Sequence, residues 1–300
     1  MNLQNSFKLI IGLLFLGQLM SCQPDAEAPS NTILSENYQD GIFYQQYAED
    51  AYEIEIRTNA PATFSRASPG PTFDIDPSGK TLVTLEPGAY FVELEWEDGT
   101  KERLPIVITK FIPEAKNAIS AMKNMSNDPD GYVLIFRHAD SRDGEDIRDD
   151  NIPEWWKSCD PALARQMNDR GKQNSKRIGD GIRNLNIPLN KGVSSEFCRA
   201  RQTFEYMELD NLQVIIDARL NHENANPKRP IFGDLNNIIS ENYEPNKVLL
   251  IVGHFNMMEQ SPYLPYVEPF SMSDGLMMKR NSDGTQKFVG YIPLSYWNLF

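Results

Sequence analysis

The sequence has few of the residues that build metal centres and disulfide frameworks. Its 300 residues include only three cysteines and three histidines. It contains no HExxH, CxxC or GxxxxGK[ST] motif, so metalloprotease, zinc and P-loop interpretations lack support. Apolar runs are also short, whereas a membrane-spanning helix needs about 20 apolar residues. The sequence therefore predicts neither a transmembrane bundle nor a metal-dependent enzyme.

Positive charge is also scarce. Lysine and arginine total 29 against 42 acidic residues, which gives a formal net charge of -13 and a pI near 4.8. An acidic surface repels the phosphate backbone, so general nucleic-acid binding is unsupported. A few arginines can still form a local positive pocket for a phosphorylated small molecule. Hydrophobic residues make up 40% of the chain, as in an ordinary globular protein with one large or two average domains.

The N-terminus differs from the rest of the chain. Lys8 precedes an apolar run from Leu9 to Leu16, and Leu19-Met20-Ser21-Cys22 follows. This order is typical of a signal peptide over residues 1–21. Its ending resembles a bacterial lipoprotein signal, which implies a lipid on Cys22, a flexible tether over 22–35 and a membrane-anchored protein of the cell envelope, periplasmic or surface-exposed. A plain secretory signal that happens to contain a cysteine is the alternative.

Residues 36–110 have the period-two alternation of half-buried strands. It is clearest from Tyr52 to Arg57 and from Tyr90 to Trp96, and Asp98-Gly99 then predicts a hairpin turn before a return strand from Leu104 to Ile108. Several short strands at this size indicate a small all-β, sandwich-like domain. It contains no histidine or cysteine, so its role is either a spacer or a binding module for a protein partner.

From residue 111 to 300 strands and helices alternate. Two fully apolar strands, Tyr132 to Phe136 and Lys247 to Val252, are typical of strands covered on both faces. Helices are predicted near 113–125, 169–185, 199–209 and 231–243, and a closing hairpin near 276–292. This pattern predicts an α/β fold, a three-layer α/β/α doubly wound sheet preceded by the small β-domain.

Each of the two most apolar strands ends in a histidine. One runs into Arg137-His138 and the other into Gly253-His254. Ligands of open α/β sheets bind at the carboxyl ends of the strands, so both histidines are expected at one site. Arg199 follows a further short strand, and arginine presents a fork of donors that suits phosphate oxygens. Two histidines and two arginines therefore predict a pocket for a phosphoryl group.

The C-terminal part, about residues 112–300, resembles the histidine phosphatase superfamily, also called phosphoglycerate mutase-like. Four blocks carry the resemblance in the family's order: Leu134 to Ala139 for its Arg-His-Gly motif, Met167 to Gln173 for a helix entry, Ser194 to Thr203 for "S-S-P-x-x-R-A-x-Q-T", and Val252 to His254 for the second histidine. Each block alone is a weak signal, but their order is specific. The resemblance implies the same fold that the strand pattern predicts.

The resemblance also implies roles. His138 would be the nucleophile that becomes phosphorylated, and Arg137, Arg199 and His254 would hold the phosphoryl oxygens. No metal or cofactor is implied. The expected activity is hydrolysis of a small phosphomonoester through a phosphohistidine. A catalytically weak or inactive lipoprotein that only binds a phosphorylated ligand, and less readily a mutase, are the alternatives.

The residue that protonates the leaving oxygen is less clear. Many members of the family carry a glutamate in a segment like "L-x-E", and here Leu220-Asn221-His222-Glu223 lies at that place, which makes Glu223 the candidate. Asp140 is the backup, and His222 is interpreted as a neighbour. The phytase-like branch has an aspartate directly after the second histidine, where this chain has Phe255, so that branch is disfavoured.

Three departures from the family pattern concern the pocket. Ala139 stands for glycine, Glu196 stands for proline and adds a negative charge near the rim, and an apolar stretch begins at Phe255. Such an apolar wall would suit an unusual leaving group or reduced activity. Arg201 lies two residues beyond Arg199, so on a helix it points elsewhere and is interpreted as a surface or packing residue.

The two remaining cysteines are Cys159 and Cys198. Export would place them in an oxidising compartment, and the alternatives are a disulfide or two free thiols. Some exported members of the family pair cysteines at these places, so the resemblance implies a Cys159–Cys198 bridge that pins the insertion after the nucleophile over the pocket.

Overall fold

A computed structural model of the chain describes residues 31–67, 72–144, 146–149, 151–222, 232–267 and 269–300. The predicted signal peptide, the lipidation site Cys22 and the acid candidate Glu223 lie outside these residues. Within them, no helix is long and apolar enough to cross a membrane.

The first part of the described chain is built from strands alone. They are β1 (Tyr38–Gln39), β2 (Ile42–Gln46), β3 (Tyr52–Glu55), β4 (Ala62–Arg66), β5 (Lys80–Val83), β6 (Gly88–Trp96) and β7 (Lys101–Thr109). Five of them form a sheet in the order β1-β2-β7-β6-β4, and β3 pairs with β5 in a second sheet. The two sheets enclose one apolar core, so the small β-sandwich predicted from the alternating strands is confirmed.

The apolar residues of the alternating strands point into this core, and the polar residues between them face solvent. Ile54 and Ile56 are 0% and 2% exposed, while the glutamates between and before them face solvent. Strands β6 and β7 form the predicted hairpin, and Gly99 adopts a φ of 83° in the turn, a conformation that favours glycine. The parallel pairing of β2 with β7 was not predicted, because strands far apart in sequence carry no local signal for each other.

The second part alternates helices and strands. Its elements are α1 (Ile112–Asn124), β8 (Tyr132–Arg137), α2 (Asp169–Asn184), β9 (Leu189–Ser194), α3 (Cys198–Met207), β10 (Gln213–Ile216), α4 (Phe232–Asn242), β11 (Val248–Gly253), α5 (Leu264–Val267), β12 (Gly275–Arg280) and β13 (Gln286–Ile292). The sheet order is β10-β9-β11-β8-β12-β13. The first four strands are parallel, and β12 and β13 form an antiparallel hairpin against β8.

Both faces of this sheet are covered. Leu134 and Phe136 of β8 pack into the core on the side of α1, α2 and α3, whereas Val133 and Ile135 pack into the core on the side of α4. A strand buried on both faces needs a continuous apolar run, which is what the sequence has there. The predicted three-layer α/β/α fold is therefore confirmed.

The two parts of the chain contact each other through the C-terminus. A 3₁₀ segment, Leu294–Leu299, follows β13 and packs against β6 of the sandwich. The backbone N–H of Ala89 donates to the hydroxyl of Ser295 at 2.9 Å. The sandwich is thereby fixed beside the β13 edge of the larger sheet.

Candidate active site

His138 follows β8 at the carboxyl edge of the sheet and is only 3% exposed. Its Nδ1 lies 2.9 Å from the carbonyl oxygen of Ala139, and a carbonyl can only accept, so Nδ1 carries the proton. Its Nε2 receives the Nε–H of Arg199 at 3.1 Å. Burial, and next the charge of Arg199, hold the pKa of His138 well below the ordinary 6.5. His138 is therefore neutral, with the Nε2 lone pair facing the pocket of arginines.

His254 follows β11, the strand beside β8, and its ring centre lies 5.1 Å from that of His138. Its Nε2 is 2.9 Å from the hydroxyl of Ser195, which itself donates to the side-chain oxygen of Asn221 at 3.1 Å. The Ser195 oxygen must then accept from His254, so the proton of His254 is on Nε2. Burial first, and the charge of Arg199 next, hold its pKa well below 6.5. The two histidines predicted at one site are brought together.

Arg199 connects the two imidazoles. It lies in the first turn of α3, is 3% exposed, and directs its Nη2 toward Nδ1 of His254 at 3.5 Å in addition to its bond to His138. Its Nη1 forms an ion pair with Asp146 at 2.6 Å, and the two side chains are 4% and 11% exposed. The guanidinium is therefore the centre of the pocket, with one edge toward the histidines and another toward a carboxylate.

Two further arginines border the same pocket. Arg137 donates from Nη1 to the carbonyl oxygen of Phe270 at 2.8 Å, and its buried Nε has no hydrogen-bond partner among the described residues. Arg165 donates to the hydroxyl of Ser141 at 2.8 Å, and its charge adds to burial, the largest cause, in lowering the pKa of both His138 and Arg199. A buried donor without a partner is costly in a finished structure, which indicates a place for an anionic acceptor.

Arg165 and Asp146 were missed by the sequence analysis. Both lie in the insertion between β8 and α2, and the backbone N–H of Arg165 donates to Asp146 Oδ1 at 2.9 Å. No motif marks either residue, and an arginine or an aspartate in a polar loop is usually solvated. Only the folding of the insertion back over the pocket reveals them.

The motif residues around the histidines serve to dock the loops. Gly171 lies where a Cβ would come within 2.0 Å of the carbonyl oxygen of Asp140, so only glycine lets α2 approach the loop after His138. Thr203 accepts from the backbone N–H of Ala139 at 3.0 Å, and Gln202 accepts from that of Met167 at 3.0 Å. Helix α3 thus contacts both ends of the segment between His138 and α2 through two side chains of its motif.

The predicted disulfide is present between Cys159 and Cys198, whose Cα atoms are 5.2 Å apart. Cys198 immediately precedes Arg199, so the bridge attaches the insertion to the helix turn that carries the central guanidinium. Arg201 donates to the carbonyl oxygen of Lys157 at 2.6 Å, beside the bridge. Its interpretation as a packing residue outside the pocket agrees with this contact.

The insertion also supplies aromatic cover. Trp155 is 5% exposed and lies 6.3 Å, between ring centres, from Phe197. The ring of Phe197 in turn is 5.1 Å from that of His254 and has the guanidinium of Arg199 4.6 Å above it. Rings stacked on a guanidinium exclude water from it without removing its charge.

Of the acid candidates, Asp140 is engaged on both oxygens. Arg170 forms an ion pair with its Oδ1 at 2.5 Å, and Asn174 and Ser273 donate to its Oδ2 at 2.8 and 3.1 Å. These bonds join α2 and the loop before β12 to the loop after His138, which is a structural role.

The other residues that the sequence analysis placed near the acid are also in contact with the site. The ring centre of His222 lies 5.7 Å from that of His254, so His222 is a neighbour of the second histidine, as interpreted. Glu196 accepts from Trp156 and Asn221 at 2.8 and 2.7 Å and pairs with Lys157 at 3.1 Å. These bonds fix the rim of the pocket rather than leave a free negative charge.

The predicted apolar wall after His254 is only partly formed. Phe255–Met257 is a 3₁₀ turn, and Met257 and Met258 are buried in the core at 1% and 0% exposure. Phe255 alone faces the site, 6.0 Å from the guanidinium of Arg137.

Among the described residues, no group of three or more His, Cys, Asp or Glu side chains is arranged to hold a metal ion. The polar groups that converge on the pocket are the guanidinium donors of three arginines and the unprotonated ring nitrogens of two imidazoles. This arrangement suits a phosphoryl group bound by charge and hydrogen bonds.

Comparisons with known proteins find similarity among solved structures. No family model matches the chain, and no curated protein matches it. Among solved structures, the chain is similar to the protein histidine phosphatase SixA complexed with tungstate, at 18% identity and a TM-score of 0.39 over 56% of this chain and 99% of that one. It is also similar to phosphoglycerate mutase from Plasmodium falciparum, at 14% identity and a TM-score of 0.35 over 54% of this chain and 93% of the other. A third is phosphoserine phosphatase in complex with 3-phosphoglyceric acid from Entamoeba histolytica, at 15% identity and a TM-score of 0.35 over 55% of this chain and 98% of that one. Similarities of this size assign no role to a residue, so the roles are inferred from the side chains themselves.

Proposed function

We propose that this protein hydrolyses a small phosphomonoester through a phosphohistidine at His138, as a metal-independent histidine phosphatase. One observation carries the proposal. The Nε2 atom of His138 is buried, unprotonated and oriented by the Arg199 Nε–H at 3.1 Å. A neutral imidazole nitrogen is a nucleophile, and its low pKa keeps it so at neutral pH.

The phosphoryl oxygens would be held by Arg137, Arg199 and His254. Arg137 offers a buried Nε–H that has no partner in the described part of the chain, and Arg199 offers the guanidinium edge that faces both imidazoles. His254 presents an unprotonated Nδ1, so it must take up a proton before it donates to an oxygen. A bound dianion favours that uptake, because opposite charges stabilise each other in a dry site.

The reaction has two steps. His138 Nε2 attacks phosphorus and the P–O bond breaks, so that the leaving oxygen keeps the electron pair and takes a proton from a general acid. Water then attacks the phosphohistidine, the P–N bond breaks, and the group that gave the proton accepts one from the water. The products are the alcohol and inorganic phosphate, and His138 returns to its starting state.

Glu223 remains the candidate for this acid and base. It lies outside the described residues, so its role stays a prediction from the "L-x-E" resemblance. Asp140 is a weaker candidate, because Arg170, Asn174 and Ser273 already occupy both of its oxygens.

We further propose that the enzyme is exported and anchored by a lipid on Cys22, with residues 1–21 removed. The sequence order of the N-terminus supports this, and the tether would hold the phosphatase outside the inner membrane. Labelling cells with a radioactive fatty acid should mark the wild type and leave Cys22→Ala unlabelled. Equal labelling of both would refute the anchor.

The activity is tested by trapping the intermediate. Full-length protein in detergent should hydrolyse 4-nitrophenyl phosphate and, after acid-free quenching, contain a phosphohistidine that is stable in alkali and labile in acid. His138→Asn should lose turnover by at least about 10³-fold, because the nucleophile is absent. Unchanged hydrolysis by that variant would refute the proposal.

The two arginines of α3 provide a matched pair. Arg199→Lys should lose at least about 10²-fold in kcat/KM, since a lysine cannot bridge both imidazoles and a phosphoryl oxygen. Arg201→Lys alters the same helix two residues away and touches only the disulfide loop, so turnover should fall less than about threefold. Equal losses in the two variants would contradict the assigned pocket.

A protein that only binds the phosphorylated ligand is the second candidate. It is favoured by Asp146, whose carboxylate already neutralises the guanidinium that a substrate would use. In that case the chain would bind inorganic phosphate, measured by calorimetry, and form no phosphohistidine with any substrate.

A further inference from the structure

The carboxyl edge of the large sheet continues past the two histidines toward β12 and β13. The backbone N–H of Arg137 donates to the carbonyl oxygen of Asp274 at 3.0 Å, so the residue before β12 lies directly beside the end of β8. A groove of about 440 Å³ opens here, lined by Arg137, Arg170 and Asp274. The groove therefore lies beside Arg137, one of the arginines that border the pocket of the two histidines.

This groove adjoins a larger cavity. Ser271, Asp274 and Leu294 border both, and the larger one, of about 490 Å³, lies between the sandwich and the α/β part. The sandwich contributes Tyr47 and Glu86 to its wall. Small-molecule sites are typically roughly 300–1,000 Å³ and occur preferentially at domain interfaces. We refer to the larger space as the interdomain cavity.

The walls of the interdomain cavity are held in place. The N–H of Ala89 donates to Ser295 at 2.9 Å, which fixes the sandwich against the C-terminal segment. Tyr291 donates its hydroxyl to Asp274, and the backbone N–H of Leu294 donates to the other oxygen of Asp274 at 2.9 Å. Asp274 is 8% exposed and stands where groove and cavity meet. The boundary between groove and cavity is therefore built from fixed groups.

The lining combines aromatic rings with acceptors. Tyr266 lies 4.9 Å, between ring centres, from Phe111, and three more tyrosines complete the wall: Tyr47, Tyr291 and Tyr296. A tyrosine offers an apolar face and a polar tip. The carboxylates of the lining are Glu86, Glu114 and Asp274, against two cations, Lys110 and Arg177.

This chemistry distinguishes between ligand classes. The C–H faces of a sugar ring pack on tyrosine rings, and its hydroxyls donate to carboxylates, which can only accept. A second phosphate would lie among carboxylates in a partly enclosed space, and like charges there repel. An aryl group would fill the aromatic wall but would offer no hydroxyl donor to Glu86 or Glu114.

We propose that the interdomain cavity binds the neutral sugar of a phosphorylated saccharide, whose phosphoryl group lies at His138. The β-sandwich then forms one wall of the leaving-group site, which is a role beyond that of a spacer. This inference rests on the proposed phosphatase function, and it adds the substrate class.

The kinetic test uses full-length protein in detergent and three substrates: glucose 6-phosphate, fructose 1,6-bisphosphate and 4-nitrophenyl phosphate. Tyr266→Ala removes a ring that is 36% exposed, so the core is spared. This variant should lower kcat/KM for glucose 6-phosphate about tenfold, through a higher KM. The loss should be at least about fivefold larger than the loss of kcat/KM for 4-nitrophenyl phosphate. Tyr132→Ala, at the opposite end of β8, should not change the ratio between these substrates. A uniform loss on both substrates in Tyr266→Ala would overturn the proposal.

The charge of the lining is tested separately. Glu86→Lys should improve the use of fructose 1,6-bisphosphate relative to glucose 6-phosphate by about fivefold or more. Glu97→Lys changes an exposed carboxylate of the same sandwich outside the cavity and should leave the ratio as in the wild type. A wild-type preference for the bisphosphate or for the aryl phosphate would also overturn the sugar assignment.

A binding measurement separates this inference from the proposed function. Calorimetry with maltose, which carries no phosphate, should detect binding to the wild type that weakens about tenfold in Tyr266→Ala. If maltose binds in this way and no phosphohistidine forms, the cavity assignment stands and the phosphatase proposal fails. If phosphohistidine forms but maltose does not bind, the phosphatase stands and the sugar site is refuted.

Discussion

The ion pair between Arg199 and Asp146 places a carboxylate on the guanidinium that would bind the substrate in the proposed function. The Nη1–Oδ2 distance is 2.6 Å, and the two side chains are 4% and 11% exposed. An incoming phosphoryl dianion binds the same guanidinium and so comes close to a like charge. We therefore predict that Asp146→Asn raises the affinity for phosphate while it lowers the stability of the free protein.

The magnitudes follow from the burial of the pair. Two like charges about 4 Å apart at an effective dielectric of about 20 repel by about 4 kcal/mol. Part of this is relieved by loop movement, so the expected gain is about 1.4–3 kcal/mol, or roughly 10- to 100-fold in affinity. Removing one partner of a buried pair costs about 3–5 kcal/mol, and because asparagine keeps an acceptor oxygen the expected loss of stability is about 2 kcal/mol.

Both effects are measured on the same sample. Calorimetry with inorganic phosphate gives the affinity, and urea unfolding with and without phosphate gives the stability. A tighter ligand adds more stability by mass action, so phosphate should restore more of the lost free energy in the variant than it adds in the wild type. Asp143→Asn is the matched control, because Asp143 is an exposed carboxylate of the same insertion.

The opposite result is equally informative. If Asp146→Asn binds phosphate no more tightly than the wild type, the carboxylate does not compete with the ligand. Its contribution would then be to orient Arg199, and the reasoning from charge repulsion would be wrong.

Further predictions concern stability. Burial lowers the pKa of His138 and His254 below the ordinary 6.5, so below that pH the unfolded chain binds protons there that the folded chain does not. The contribution of these histidines to the free energy of unfolding should therefore be complete above pH 6.5 and fall as the pH drops below it. Replacing both histidines by glutamine should reduce the change in the urea midpoint between pH 7.5 and 5.5, and an unchanged slope would contradict this origin. Reducing the bridge between Cys159 and Cys198, which are 39 residues apart, should cost about 4 kcal/mol in the same assay, and a loss below about 1 kcal/mol would show that the insertion holds without it. Gly171→Ala should cost about 1–3 kcal/mol because its Cβ meets a backbone oxygen, and a neutral change in thermal melting would disprove that close contact.

Local patterns in the sequence predicted most of the elements that position the site. The continuous apolar runs of β8 and β11 predicted strands covered on both faces, and the structure buries every residue of the β11 strand. Because such strands lie in the middle of a sheet, their ends, and hence His138 and His254, were expected at one edge. Strand β9 extends back to Leu189, whereas the sequence predicted only a short strand before Arg199, since Asn190 and Lys191 are polar and carry no alternation.

The sequence predicted only part of the candidate site that the structure shows. Arg137, His138, Arg199 and His254 follow recognisable strands or motifs, so their convergence could be anticipated. Asp146 and Arg165 could not, because the side chains of a polar insertion have no periodicity and their positions depend on how the loop folds back.

The sequence by itself determined the order of strands and helices, the acidic character of the chain, and the two histidines at neighbouring strand ends, since these depend on local periodicity and on charge. Tertiary structure alone decided which imidazole nitrogen faces Arg199, which carboxylate pairs with that arginine, and how the sandwich closes one side of a cavity. These features join residues tens to hundreds of positions apart, such as Ala89 and Ser295. Contacts of that kind arise from packing, which no local pattern encodes.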